Sequence, residues 1–399
     1  MNINPKKSSL HVYDYVVVGS GLSGLLMTAA LSRVTQNVLL LEAADTFGGV
    51  NQKQETAVGT INNGFRFLPD TDLSRKSMAF LSALFGESME FRSVENAPVT
   101  YESGGLRPFV GFGNTPPTFY EEFSYFLSQQ RLQCETHPYQ WVEQLFEKSQ
   151  ADFIPRSYVT KFVEEGGKIT RALINGQKNI LGHNFIYCGP IQSLSILLPE
   201  SGLSVRHRQK LSKAKYWTAL CLDLVHSQLV AEPEKLHILN GTTQDDVGPC
   251  VGQFSAMVTS SPTAENPNEE KLQLSQWVSF IDNESAEDAE QIALTLKKIK
   301  RQIKRAYPTA LDNLKSERIL VTPSIGGNGE IKLNANQSLP NLPNFWIASG
   351  TLSTQKNLLG CLQQVELVCG ALGFHPAGIE LALPNERDLS EDLGDEAAL

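Results

Sequence analysis

The chain has 399 residues, of which 41% are hydrophobic and 19% charged, and these values are typical of a globular protein with a sizeable core and more than one domain. Its net charge of −9 argues against binding to nucleic acid or to an anionic membrane surface, because both need clustered Lys and Arg. No apolar run approaches the ~18 residues that would predict a membrane span. Residues 1–12 lack the apolar core of a signal peptide.

The six cysteines are scattered, with no C-x-x-C pair and no spacing typical of a zinc site. Several lie in apolar stretches, where Cys behaves as a small buried hydrophobe. We therefore expect a reducing, cytoplasmic location and no metal site.

The beginning of the chain predicts a strand, a glycine turn, a helix and a second strand. Tyr13–Val18 is a β-branched and aromatic run of the kind that forms a buried parallel strand. A G-x-G-x-x-G motif follows it, then a helix to Ser32 and an apolar strand over Val38–Leu41. This order is typical of a dinucleotide-binding unit. The turn residues that we expect at the cofactor are Gly19, Ser20, Gly21, Leu22, Ser23 and Gly24.

Each glycine of the motif has a separate physical role. Gly19 permits the tight turn, Gly21 lets the backbone approach a pyrophosphate, and Gly24 allows the helix to pack closely on the sheet. The free N–H groups of the helix start favour an anion. Glu42 lies 42 − 19 = 23 residues after Gly19, near the spacing of about 20 that is typical of a ribose-binding carboxylate. Because no Arg or Lys follows Glu42 directly, a 2′-phosphate is disfavoured, which leaves FAD or NAD.

The segment after Glu42 resembles the corresponding segment of the FAD-dependent amine oxidase, protoporphyrinogen oxidase and phytoene desaturase superfamily. The resemblance implies that Ala43 and the Gly48-Gly49 pair lie beside FAD. In that superfamily an Arg usually follows the two glycines, whereas this chain has Val50. Gly64 is similar to the superfamily's next glycine, where the chain passes the isoalloxazine ring. The resemblance thus implies FAD as the cofactor.

Two later stretches resemble the same superfamily. Residues 153–190 predict three strands joined by a Gly-Gly turn and an Asn-Gly turn, and in the superfamily the residue matching Val163 packs near the adenine. Near the end, the strand Asn344–Ala348 runs into Ser349-Gly350, where the superfamily has Gly followed by an acid that holds the ribityl chain.

A helix is predicted over Leu358–Leu372, after that last strand. The resemblance implies that its N-terminus points at the pyrimidine end of the flavin ring. Backbone N–H groups of Leu359 and Gly360 are then expected to stabilise negative charge on the reduced ring.

The resulting prediction of fold class is α/β, with a sequence-discontinuous Rossmann-like FAD-binding domain. A second, α+β substrate domain is expected on a mixed or antiparallel sheet. The predicted FAD-binding domain comprises residues 1–70, 151–205 and 331–385, the substrate domain residues 71–150 and 206–330, and a disordered acidic tail residues 386–399.

The predicted elements of the substrate domain are helices and long strands. Five phenylalanines within residues 109–126 admit two interpretations, namely core packing or the cap of an apolar substrate cavity. The predicted helices are Asp72–Leu84, Thr118–Gln130 and a segment from Ser285 to Tyr307, and the predicted strands are Tyr216–His226, Gly252–Val258 and Leu272–Ile281.

The function that the resemblance implies is FAD-dependent removal of a hydride from a small, largely apolar substrate, at an amine C–N or a C–C bond. The cofactor would perform the difficult step, so no catalytic acid–base pair is required. Arg66, Tyr216 and Trp217 are the candidate substrate or flavin contacts. A flavin-dependent sugar-nucleotide mutase and a non-catalytic partner subunit remain as alternatives. The electron acceptor and the oligomeric state, monomer or homodimer, stay open.

Overall fold

The computed structural model describes residues 2–3, 11–114, 116–117, 119–233, 235–240, 249–260, 269–312, 314–353, 355 and 358–374. The predicted acidic tail, residues 386–399, lies outside them. The strands are β1 Asn2–Ile3, β2 Val12–Val18, β3 Val38–Leu41, β4 Lys53–Thr56, β5 Gly59–Asn62, β6 Phe91–Glu95, β7 Val99–Glu102, β8 Gly105–Pro108, β9 Gln130–Cys134, β10 Asp152–Ile154, β11 Val159–Glu165, β12 Lys168–Ile174, β13 Lys178–Tyr187, β14 Tyr216–His226, β15 Leu236–Leu239, β16 Cys250–Thr259, β17 Lys271–Asp282, β18 Leu314–Gly327, β19 Ser338–Leu339 and β20 Leu342–Ile347. The α-helices are α1 Leu22–Leu31, α2 Asp72–Phe85, α3 Tyr120–Phe123, α4 Pro138–Lys148, α5 Leu194–Leu197, α6 Val205–Lys213, α7 Asn283–Ala286, α8 Ala289–Ala306 and α9 Leu358–Ala371.

The first sheet has a parallel centre, in the order β1-β10-β3-β2-β13, with β20 parallel to the end of β13. The hairpin β11–β12 is antiparallel and continues the sheet from the start of β13. Because β2, β3, β13 and β20 run the same way, their carboxyl ends meet at one edge. In open parallel sheets, ligands bind at that edge.

Both faces of the first sheet are covered, which explains why its central strands are apolar throughout. Along β2, Val17 faces one core while Val16 and Val18 face the other, as the two-residue period of a strand requires. Helices α1, α2, α4 and α9 cover the Val17 face. The other face packs against the β11–β12 hairpin and helices α5 and α6.

The second sheet has the order β18-β14-β17-β16-β15-β7-β8 and is antiparallel except for the β15–β7 pair. Helix α8 packs its apolar side, including Ile299 and Ile303, on one face of this sheet. The opposite face carries Ala219, Cys221 and Phe280 and packs against an aromatic cluster. The expected fold class, a Rossmann-like unit with a second sheet of mixed orientation, is confirmed.

Three predicted elements differ from the structure. The strand expected from Phe153 is split into β10 and β11, since Pro155 lacks the N–H that a continuous ladder needs. The helix expected over Thr118–Gln130 shrinks to α3, followed by a 3-10 turn, because its aromatic side chains pack into the core of the second sheet. The 14-residue strand β18 was not predicted at all.

Helices α2 and α4 pack in a different place from the one that the predicted domain boundaries imply. Residues 71–150 were assigned to the second domain, yet α2 and α4 share a core with α1 and α9 of the first sheet. The reason is their own apolar faces, which include Met78 and Trp141 and are fully buried there. No helix in the described ranges is long and apolar enough to cross a membrane.

Candidate functional site

The turn between β2 and α1 is formed by close backbone contacts. Gly19 has φ +98°, in the left-handed region that favours glycine, and its N–H bonds to the Leu41 carbonyl at 2.8 Å. A Cβ on Gly24 would lie 1.7 Å from the Gly19 carbonyl oxygen, so only glycine fits at that position. Gly24 therefore acts in packing, behind the surface that a ligand would contact.

The N-terminus of α1 lies at a cavity and carries no side-chain cap within the described residues. The first helical bond runs from the Leu25 N–H to the Gly21 carbonyl at 3.0 Å, so the preceding N–H groups are outside the helical ladder. A Cβ on Gly21 would meet nothing within 4 Å, and this open space adjoins the helix start. Uncapped N–H groups and the positive end of the helix dipole form a site for an anion.

Glu42 lies at the carboxyl end of β3, where it lines the same cavity. Its Oε2 accepts from the Ser20 N–H at 2.7 Å and from the Ser20 hydroxyl at 2.6 Å. Its Oε1 accepts from the Ala44 N–H at 2.8 Å. Each carboxylate oxygen has two lone pairs, so Oε1 can accept a further hydroxyl. Glu42 thus both braces the glycine turn and retains acceptor capacity toward the cavity.

The Gly48-Gly49 loop lies directly on the glycine turn. The Gly48 N–H bonds to the Ser20 carbonyl at 2.8 Å, and a Cβ on Gly49 would lie 3.2 Å from the Gly21 Cα. Both loop glycines have positive φ, +98° and +55°. The loop is therefore one wall of the cavity at the start of α1.

The far end of the cavity is formed by the second sheet. Gly64, with φ +83°, packs on Cys221 of β14, where a Cβ would lie 3.0 Å from the thiol sulfur. Side chains around this end are mostly aromatic or aliphatic, and burial raises the pKa of the Cys221 thiol. The lining residues here are Phe65, Phe67, Tyr125, Phe126, Ala219, Cys221, Val278 and Phe280. Arg66 lies between this end and the Gly48-Gly49 loop, since it donates to the carbonyls of Phe65 and Val50.

The last strand and helix complete the cavity between its two ends. Ser349, which is 2% exposed, bonds through its hydroxyl to Thr351 at 2.8 Å. A Cβ on Gly350 would lie 2.7 Å from the Cys361 sulfur, so that thiol occupies the space of a side chain at position 350. Burial raises the pKa of Cys361, while a hydrogen bond from Ser23 opposes the rise.

Together these segments enclose one cavity of about 500 Å³, which extends from Glu42 to the second sheet. It lies within the range of about 300–1,000 Å³ that is typical of small-molecule sites. The predicted residues that line it are Gly19, Gly21, Leu22, Ser23, Glu42, Ala43, Gly49, Val50, Arg66, Ser349 and Gly350. The predicted residues that do not line it are Ser20, Gly24, Gly48, Leu359 and Gly360. Leu359 lies instead in the core on the Val17 face of the first sheet.

Three of the predicted contacts lie elsewhere. Val163 is four residues beyond Val159, the residue of β11 that lines the cavity, and pairs with Arg171 in the hairpin. The Tyr216 hydroxyl donates to the Leu211 carbonyl at 3.1 Å in the core of the first sheet. Trp217 makes an edge contact with Phe119 in the aromatic cluster, outside the cavity.

Several lining residues were not among the predicted contacts. Ser157, Tyr158 and Val159 face the Glu42 end, and the Ser157 N–H bonds to the Glu42 carbonyl at 2.7 Å. Tyr125 and Thr322 come from segments whose positions only the tertiary fold determines. Of the five phenylalanines for which two roles were considered, Phe126 lines the cavity. Within the described part of the chain, no cluster of three or more His, Cys, Asp or Glu could hold a metal ion.

Comparison with known proteins shows which solved structures share this fold. Residues 17–84 match the family model of an NAD(P)-binding Rossmann-like domain. An oxidoreductase from Methanosarcina mazei superposes with a TM-score of 0.63 at 12% identity, covering 89% of this chain and 99% of its own. Cyclohexylamine oxidase from Brevibacterium oxydans gives 0.60 at 11% identity, covering 91% and 99%. A cofactor-binding mutant of putrescine oxidase gives 0.58 at 10% identity, covering 90% and 98%. No curated protein matches the sequence.

The resemblance read from the glycine motifs is therefore confirmed at the level of fold. Nearly the whole of each compared chain superposes on this one, so both the dinucleotide-binding unit and the second sheet are shared. Identities of 10% to 12% extend the likeness no further than the fold.

Proposed function

We propose that this protein is an FAD-dependent oxidoreductase that removes a hydride from a small, largely apolar substrate, at an amine C–N bond or a C–C bond. The observation that carries the proposal is the continuity of the cavity. One end has an uncapped helix start and an acid, and the other end is an aromatic face of the second sheet. Such a cavity suits a ligand with an anionic, sugar-bearing half and a flat apolar half.

The residues of the chain fit the group. Gly21 and the start of α1 would hold the diphosphate, and the free acceptor capacity of Glu42 would hold a ribose hydroxyl. The start of α9, with Leu358 and Cys361 at the cavity, would direct its positive end toward the ring. A bound FAD supplies the hydride acceptor.

The aromatic end supports an apolar substrate. Phe65, Phe126 and Phe280 line it, and the Cys221 thiol beside them has a raised pKa. A thiol of raised pKa remains protonated and is a poor nucleophile. These side chains would shape the substrate and exclude water, and we propose no acid–base residue.

The sugar-nucleotide mutase alternative needs several Arg at the site. Among the described residues that line the cavity, Arg66 is the one cation. This favours the oxidoreductase.

The six cysteines are free thiols, which supports the proposed reducing, cytoplasmic location.

The test is the visible spectrum of the purified protein, before and after incubation with FAD, followed by anaerobic titration with a panel of primary amines, cyclic amines and polyenes. We expect flavin absorbance, and bleaching by at least one substrate. Gly21→Val, treated identically, is the control and should stay colourless. A protein that binds no FAD would refute the proposal. FAD binding without bleaching by any compound would favour the non-catalytic alternative.

A further inference from the structure

Arg66 is held at the cavity by neutral oxygen atoms only. Its Nε donates to the Asn51 side-chain oxygen at 3.2 Å, and its Nη1 donates to the Phe65 carbonyl at 3.0 Å. Its Nη2 donates to the carbonyl of Val50. These bonds use part of the donor set of a guanidinium, which leaves N–H groups for a ligand. The side chain also lines the cavity, so a ligand can reach it.

The positive charge of Arg66 has no carboxylate of its own in the described part of the chain. The acid whose charge acts on it is Asp223, and that acid is ion-paired with Arg318 and accepts from Gln276 at 3.0 Å. Burial lowers the pKa of Arg66. An enclosed cation without a paired anion is costly, and a bound anion would offset that cost.

Arg66 is fixed at the Gly48-Gly49 loop, which lies on the glycine turn before α1. Val50, whose carbonyl it binds, directly follows Gly49, and Gly49 lies on Gly21. On the opposite side, Cys361 bonds to Ser23 in the first turn of α1, and the charge of Arg66 acts on that thiol. The two positive features of the cavity, the helix start and the guanidinium, thus point to the same region.

We infer that Arg66 binds the diphosphate of the dinucleotide, together with the N-terminus of α1. This inference rests on the proposed function and deepens it. Position 50 carries Val, which has no donor in its side chain, and Arg66 reaches that same point of the loop from 66 − 50 = 16 residues further along the chain. Arg66 is therefore a cofactor-binding residue, and the substrate end of the cavity is left without a cation among the described residues.

The experiment separates the two halves of the cofactor. Apo protein is titrated calorimetrically with FAD, with ADP, which has the diphosphate but no flavin, and with riboflavin, which has the flavin but no phosphate. The variants are Arg66→Met and Arg66→Lys. The control is Arg208→Met, because Arg208 also makes three hydrogen bonds to neutral oxygen atoms, the carbonyls of Leu203, Ser195 and Leu198, but lies outside the cavity.

We expect Arg66→Met to lower the affinity for FAD and for ADP about tenfold to a hundredfold, as loss of a charge-assisted hydrogen bond does. The affinity for riboflavin should be unchanged. Arg66→Lys should lose less, and Arg208→Met should bind all three ligands like the wild type. If the affinities for riboflavin and FAD fall while the affinity for ADP does not, Arg66 contacts the ring and the inference is wrong. If all three ligands bind equally to wild type and Arg66→Met, Arg66 has no role in cofactor binding.

Two further outcomes keep the inference distinct from the proposed function. If wild-type protein binds none of the three ligands, the proposed function fails and the inference fails with it. If Arg66→Met does not fold, Arg66→Lys replaces it in the test, and its affinities for ADP and for riboflavin are each compared with those of the wild type. Lys retains the charge but cannot reproduce the fork geometry of Arg, so the affinity for ADP alone should fall. An equal loss for ADP and riboflavin in that variant would overturn the inference.

Discussion

The backbone N–H of Gly48 donates a 2.8 Å hydrogen bond to the carbonyl of Ser20, which joins the Gly-Gly loop to the glycine turn. Gly49 then lies on Gly21, with 3.2 Å between the position of a Cβ on Gly49 and the Gly21 Cα. Two motifs that are separate in sequence therefore form one wall of the cavity. Their glycines are required for different reasons, and substitution can separate those reasons.

Gly21 and Gly24 should respond to substitution in opposite ways. A side chain at Gly21 enters open space, so Gly21→Val should leave the free energy of unfolding of the apo protein within about 1 kcal/mol of wild type while preventing FAD binding. A Cβ at Gly24 would lie 1.7 Å from the Gly19 carbonyl oxygen, so Gly24→Ala should destabilise the fold by several kcal/mol. Chemical denaturation of the apo proteins and FAD titration measure both effects. A stable, FAD-binding Gly24→Ala would contradict this packing.

Glu42 should contribute to both stability and affinity. Glu42→Ala removes the acceptor of the buried Ser20 N–H and hydroxyl, which should lower the free energy of unfolding by about 1–3 kcal/mol. It should also lower the affinity for FAD about tenfold to a hundredfold, because the contact with the ribose is lost. Glu55→Ala, in an exposed hairpin where Glu55 accepts from Thr60 at 2.8 Å, is the matched control. Unchanged FAD affinity in Glu42→Ala would refute the ribose-binding role.

The unit over residues 13–41 was predictable because its pattern is local. The strand over Val38–Leu41 was predicted to the residue, and the glycine turn and helix followed from spacing alone. The strand β14 was likewise predicted with its observed bounds, Tyr216–His226, because most of its residues are aliphatic or aromatic.

The site could not be predicted where a strand's contribution to it depends on tertiary packing. Tyr216 and Trp217 were plausible from sequence, yet the cavity contacts of β14 come two and four residues after Trp217, at Ala219 and Cys221. The twist of the sheet and the position of the aromatic cluster decide this, and neither is encoded locally. Arg66 was recognised as a candidate, but its place beside Val50 depends on how the loops fold together.

Stability should fall in mild acid because of His237. This side chain is 1% exposed, and its Nδ1 lies 2.9 Å from the Tyr307 hydroxyl. Burial lowers the pKa of His237 from 6.5 to about 4, with a smaller effect from Lys235. Between about pH 6.5 and pH 4 this histidine is protonated in the unfolded chain but stays neutral in the folded protein. The stabilisation is thus complete above pH 6.5 and is lost as the pH falls toward 4, by up to about 3 kcal/mol.

Urea denaturation of the wild type and of His237→Gln, at pH 7 and pH 4.5, measures the effect. We expect a smaller difference between the two pH values in the variant, because Gln does not titrate. The exposed His207, changed to Gln, is the control and should retain the wild-type difference. An identical pH dependence in His237→Gln and wild type would rule out this histidine as a source.

Gly350 and Cys361 should be energetically coupled, because the Cys361 sulfur occupies the space that a side chain at position 350 would fill. A Cβ on Gly350 would lie 2.7 Å from the Cys361 sulfur, closer than real contacts allow. Gly350→Ala should therefore lower the free energy of unfolding by about 1–3 kcal/mol, the usual cost of overpacking. Gly105→Ala, at a glycine with nothing within 4 Å, should cost much less and serves as the control.

In the double variant with Cys361→Ala the sulfur is gone, so most of the loss of stability caused by Gly350→Ala should be recovered. A double-mutant cycle from denaturation curves gives the coupling energy, which should be favourable and above about 0.5 kcal/mol. Strictly additive effects would mean that the thiol does not fill this space, and that Gly350 is required for another reason.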